Sequence, residues 1–134
     1  MTRIIIAVLT TTTVALSLAA APENKPIHQP PINAKALDID GYYECQGEGY
    51  TGVVVVIRME DVYVVRWIVG ASTYTGIGMR DAEGAIVVGW SNDKLRGVSA
   101  FRIEPGPKLT GEWATLPGDG TKHKETLTFI KALK

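Results

Sequence analysis

From about residue 40 onward, apolar and polar positions alternate with a period of two, and short clusters of Gly, Pro, Asn, Asp and Ser interrupt the alternation at regular intervals. The densest stretch is TGVVVVIRMEDVYVVRWIVG, residues 51–70. It divides into two arms, 53–58 and 62–69, joined by a tight turn at Met59-Glu60-Asp61. β-Branched residues dominate both arms and neither contains Gly or Pro, so both favour an extended backbone. The same cadence predicts eight strands: 42–46, 53–58, 62–69, 73–80, 85–91, 98–103, 109–114 and 124–130. The short connections leave no room for parallel crossovers, so the strands form an antiparallel meander. No stretch sustains a helical period. The fold class is therefore all-β, and a small closed barrel that pairs the last strand with the first removes both sheet edges. An open rolled sheet or a sandwich is the alternative architecture.

Alternation also assigns the faces. Arg58, Arg66 and Arg102 are costly to bury unpaired and mark the outside of their strands. On that basis Val53, Val55 and Ile57 face inward, with Tyr63, Val65, Trp67, Val69, Ser99, Phe101, Ile103, Leu109, Trp113, Leu127 and Phe129. Filled by these rings, the interior is expected to be packed. Glu125 shares the inward face of Leu127 and Phe129, where a carboxylate needs a partner or a raised pKa. A Tyr hydroxyl, a Trp indole or an Arg such as Arg80 is the expected partner. The same assignment leaves Val54, Val56, Val62, Val64 and Ile68 on the outer face, an apolar patch of the kind that marks an interface. A second copy of the chain, a protein partner, or the preceding segment with Ile27 and Ile32 could cover it.

Composition changes this picture mainly by exclusion. The 134 residues carry 14 basic and 14 acidic side chains. Such a balance argues against nucleic-acid binding and against docking to anionic membranes. The N-terminus, MTRIIIAVLTTTTVALSLAA, has a basic residue, an apolar run and then small residues, the pattern of a secretory signal peptide. The organisation read from the chain is a signal peptide over 1–19, a Pro-rich linker or arm over 20–39 and a β-barrel domain over 40–134. Cleavage would leave a mature protein without a membrane span, periplasmic or secreted. Cys45 is the only cysteine and alternates with Tyr43 on one strand face, as a small buried apolar residue would.

Candidate chemistry is sparse. His28 and His123 make no metal-ligand spacing with Cys45, and Asp38-Ile39-Asp40-Gly41 lacks the later ligands of a calcium loop. No nucleophile motif occurs, and Glu112 and Glu125 fall on opposite faces of adjacent strands. The chain is read as a non-enzyme with no metal and no cofactor. Binding candidates are the inward aromatic residues and the buried acid: Tyr43, Tyr63, Trp67, Trp90, Trp113 and Glu125.

The order Gly41-x-Tyr43, Tyr50-x-Gly52, Tyr63-x-Val65-x-Trp67, Gly76-x-Gly78, Val88-Gly89-Trp90, Leu109-x-Gly111-x-Trp113 and Glu125-x-Leu127 resembles a family of small secreted bacterial β-barrel proteins. That family is largely uncharacterised, and some members carry a fibronectin-binding label. The architecture is also similar to avidin-like barrels, although Gly41-Tyr42-Tyr43 stands where those open with Gly-x-Trp, so biotin binding is not implied. Tyr43-x-Cys45 is similar to the opening of periplasmic lysozyme inhibitors. These readings imply an exported binding or interaction domain whose partner is an envelope or extracellular-matrix protein. The alternatives are a binder of small apolar ligands, of the avidin or lipocalin kind, and an inhibitor of lysozyme or another periplasmic hydrolase.

Overall fold

A computed structural model describes residues 38–134. The expected signal peptide and most of the Pro-rich arm, with His28, Ile27 and Ile32, lie outside the described residues. Eight strands are present: β1 (Gly41–Gly47), β2 (Tyr50–Met59), β3 (Val62–Val69), β4 (Ser72–Arg80), β5 (Ile86–Ser91), β6 (Arg96–Glu104), β7 (Lys108–Leu116) and β8 (His123–Lys131). Each pairs antiparallel with the next, and β8 returns to β1 through pairs such as Cys45 with Leu127 and Gly47 with Glu125. The sheet is a closed meander barrel, as expected, and the open-sheet and sandwich alternatives are set aside.

Local chemistry fixes the hairpins. Two-residue loops at Glu48-Gly49 and Gly70-Ala71 place a glycine at positive φ, 84° and 58°. The Glu60-Asp61 loop instead puts Glu60 at φ 55°, and the Arg58 Nε–H donates to the Glu60 carbonyl at 2.9 Å. Longer loops rest on one side chain each. Asp81 Oδ1 accepts from the backbone N–H groups of Glu83 and Ala85, both at 2.9 Å. Asn92 Oδ1 accepts from Lys94 and Leu95 at 2.9 and 2.7 Å.

Inward residues from seven of the eight strands build the core, which includes Tyr43, Val54, Val56, Tyr63, Val65, Ile86, Val88, Phe101, Leu109 and Leu127, while the buried positions of β4 are Gly76 and Gly78. Just before β1, Ile39 is wholly buried, and its carbonyl accepts a 2.7 Å hydrogen bond from the Tyr43 hydroxyl. Burial, with Asp40 and Asp38 nearby, pushes the Tyr43 phenol up to about 12, so it remains a donor. The chain thus enters the barrel by plugging one end with its own side chains.

The face assignment for β2 is corrected. Val54 and Val56 are buried (0% and 1% exposed), whereas Val53 and Ile57 are 39% and 42% exposed and Val55 is half-buried. Arg58 does share the inward parity, since it pairs with the buried Tyr63, but it occupies the penultimate rung beside the turn. There its guanidinium reaches solvent and the Glu60 carbonyl without entering the core. An arginine at a strand end does not report the face of the strand. Val54 and Val56 therefore leave the proposed outer patch, while Val62, Val64 and Ile68 do lie on the outer wall.

Candidate functional site

The barrel is not filled along its whole length. Toward the end bearing the 48–49, 70–71, 92–95 and 117–122 loops, the interior opens into a cavity of about 290 Å³. Its floor is formed by the most buried lining residues: Trp67 on β3, Ser99 on β6 and Glu125 on β8. Tyr50, Val69, Tyr74, Trp90, Trp113 and Thr115 form the walls, with Leu95 from the β5–β6 loop. An interior of eight strands is just wide enough for side chains or for one small ligand; in this barrel side chains fill one end and leave a cavity at the other.

The aromatic walls are arranged edge to face. Tyr74 and Trp90 have ring centroids 5.5 Å apart at 84°, Trp90 and Trp113 are 6.1 Å apart at 71°, and Tyr50 and Trp113 are 6.3 Å apart at 62°. His123, at the start of β8, stacks on Trp113 at 4.4 Å. Small residues make room for the rings. A side chain at Gly97 would run into the Trp90 ring and the Ala114 carbonyl, and one at Gly47 would run into the Tyr50 ring. All three tryptophans of the chain line this cavity, and each indole N–H is already satisfied from within it. Trp67 donates to Glu125 Oε1 at 3.1 Å, Trp90 to Ser99 Oγ at 2.9 Å and Trp113 to the Tyr50 hydroxyl oxygen at 2.8 Å.

Glu125 is the centre of the floor. It is 4% exposed, and its Oε1 also accepts from the Cys45 thiol at 2.6 Å. Burial raises the carboxyl above its ordinary range, and the donors Cys45 and Trp67 hold part of that rise back. Burial first, then the hydrogen bond and charge of Glu125, pushes the Cys45 thiol far up, so the sulfur stays a protonated donor rather than a reactive thiolate. The Tyr50 phenol is also pushed up, by burial and then by Glu125. The second carboxyl oxygen, Oε2, accepts no hydrogen bond from the described residues, yet it is not sealed off, because Glu125 lines the cavity. The Ser99 and Tyr50 hydroxyls accept from indoles, and neither donates to an acceptor among the described residues.

The six binding candidates separate into two groups. Trp67, Trp90, Trp113 and Glu125 meet in the cavity. Tyr43 and Tyr63 do not: they are 0% and 4% exposed in the filled part of the barrel, where Arg80 Nε donates to the Tyr63 hydroxyl at 3.1 Å. The inward placement of Glu125 and its indole partner hold, but Arg80 serves Tyr63, and the Cys45 thiol is a second partner that alternation did not suggest. Tyr50, Tyr74 and Ser99 join the site. Tyr50 was hidden by the reversed face of β2, whose corrected inward set of Val54 and Val56 includes it. Glu112 is on the outside, paired with Lys122 at 2.7 Å. Among the described residues, no cluster of three or more His, Cys, Asp or Glu is placed to hold a metal ion.

A second feature lies on the outer wall. Ile77 and Met79 of β4 are 60% and 63% exposed, and Val53, Ile57, Ile68 and Val87 are 39–45% exposed. Register makes them neighbours, through Val53 with Ile68, Ile57 with Val64, Val64 with Ile77 and Met79 with Val87. The wall across β7, β8 and β1 is more polar, with Lys108, Thr110, Glu112, Lys124, Thr126, Thr128, Glu44 and Gln46 facing outward and Leu116 and Ile130 exposed near the strand ends. Among the described residues no helix is long and apolar enough to cross a membrane. Comparison with known proteins finds no matching family model and no matching curated protein.

Proposed function

We propose that this chain is a binding protein that takes a small, largely apolar ligand into the open end of its barrel. The observation that carries this reading is the cavity of about 290 Å³, walled by aromatic rings and floored by a buried carboxylate with an uncommitted oxygen. Apolar pockets with a few convergent polar groups are the usual form of small-molecule sites, and this volume sits at their lower limit. An exported protein of the lipocalin or avidin kind, as read from the sequence, fits that architecture. Because every tryptophan lines the cavity, fluorescence excited selectively at tryptophan reports on the site. Benzyl alcohol, a neutral aromatic probe, is expected to change that fluorescence saturably, and Trp113→Ala is expected to abolish the effect. A linear, collisional response unchanged by Trp113→Ala would contradict the reading.

The outer wall supports a second reading, association with another protein. Apolar patches of this extent are uncommon on solvated monomers, and two-fold pairing of identical patches is the commonest way to cover them. The homodimer, rather than an envelope or matrix partner, is the form most directly tested. Light scattering is expected to give a dimer that Ile77→Asp with Met79→Asp converts to monomer, and a monomer before substitution would exclude it.

A further inference from the structure

The lining of the cavity has a charge pattern that narrows the ligand class. This inference rests on the small-ligand reading above. Among the described lining residues Glu125 is the one whose side chain is ordinarily charged at neutral pH; no Lys, Arg or His is among them, and His123 stacks on the Trp113 ring beside the space. Five aromatic side chains surround it: Tyr50, Trp67, Tyr74, Trp90 and Trp113. Aromatic faces are electron-rich, and they attract cations most strongly where water is excluded. The three indole N–H groups, the positive edges of these rings, are turned to Glu125, Ser99 and Tyr50. What remains to meet a ligand is ring surface, the undonated hydroxyls of Ser99 and Tyr50, and Glu125 Oε2, a hydrogen-bond acceptor that no described residue uses.

We infer that the cavity binds a small organic monocation, an alkyl- or arylammonium whose charged nitrogen sits at Glu125 and whose apolar body lies against the tryptophans. An anion would be placed beside a carboxylate without a compensating positive group. A neutral apolar molecule would fill the space but leave Oε2 buried without a partner, at the cost that any unsatisfied polar group carries. An ammonium N–H supplies that missing donor, and the protein carboxylate neutralises the buried charge. The Ser99 and Tyr50 hydroxyls are then free to donate to a polar atom on the ligand body.

The test is calorimetric titration of the full chain with three probes of one shape: benzylammonium, benzyl alcohol and benzoate. Benzylammonium is expected to bind at least tenfold more tightly than benzyl alcohol, and benzoate more weakly than either. Glu125→Gln keeps an oxygen for the Cys45 and Trp67 donors while removing the charge. It is expected to erase the preference for benzylammonium over benzyl alcohol, and an unchanged near-ultraviolet circular dichroism of the tryptophans shows that the site still folds. Equal affinity for benzylammonium and benzyl alcohol, or a preference that survives in Glu125→Gln, would overturn the cation inference while the small-ligand reading stands. Failure of all three probes to bind would overturn both.

Discussion

Around Phe101 the barrel interior is filled, with Tyr43, Val56, Ile86, Leu109 and Leu127 all 2% exposed or less and Ile39 sealing the end from the segment before β1. Around Trp113 the same eight strands surround a cavity, and the rings of Tyr50, Tyr74, Trp90 and Trp113 there are half-buried, braced against one another and against polar atoms. The difference is one of side-chain composition rather than topology. Aliphatic residues with a few rings pack the first end to the density of an ordinary core. The other end uses large rings laid against the wall over glycines at positions 47 and 97, and long edge-to-face contacts leave a gap between them. Tight packing is concentrated where the barrel is closed, and the proposed binding site lies where packing has been given up.

Substitutions that remove the same kind of ring from each end should sharpen this contrast most. Phe101→Ala is expected to cost about 3–5 kcal/mol, since it opens a cavity in a packed core. Trp113→Ala removes a larger ring but leaves space already open to the mouth, so the loss of surface burial, ring contacts and the Tyr50 hydrogen bond is expected to cost about 1–2 kcal/mol. Urea unfolding midpoints measure both, and equal costs would mean the two ends are packed alike.

Gly97→Ala addresses how the gap is maintained. The added methyl meets the Trp90 ring and the Ala114 carbonyl, so the ring must move toward the cavity. A destabilisation of roughly 1–3 kcal/mol is expected, with loss of benzyl alcohol binding. Retained binding with unchanged stability would show that Trp90 does not depend on the glycine beneath it.

The smallest expected effect is a pH dependence that belongs to the open end. Because burial raises the Glu125 carboxyl, the folded state holds its proton more tightly than the unfolded chain. Stability should therefore fall as pH rises from the ordinary value of 4.5 through the folded-state value, then level off. Cys45 and Tyr50, the titratable groups near Glu125, are pushed upward and stay protonated throughout that window. Thermal unfolding as a function of pH should show the decline in the native chain and a flatter profile in Glu125→Gln. A profile unchanged by that substitution would place the effect elsewhere.

How much of this was legible in the sequence depended on whether a signal was local. Turn residues every few positions and uninterrupted alternation specify strand number, meander order and closure, because each hairpin is decided by its own loop. Glu125 was legible as an inward acid because Leu127 and Phe129 fix its parity within one strand. The face of β2 was misread because Arg58 stands where inward parity leads out of the barrel, beside a turn, and that error displaced Val54, Val56 and Tyr50 together. The thiol that supports Glu125 lies 80 residues away and meets it only through the β1–β8 closure, so no pattern along either strand announces the pair. Whether the rings fill the barrel or leave it hollow follows from their rotamers and from which glycine underlies which ring. Alternation does not encode either.

The most direct test of the account is a heteronuclear NMR titration of the chain with benzyl alcohol, following the three tryptophan indole N–H signals alongside the methyl groups of Val56, Ile86 and Leu109. The account predicts saturable shifts of all three indoles with one common affinity, while methyls of the filled end stay unmoved. Indole signals that do not respond, or shifts spread evenly over both ends of the barrel, would contradict it.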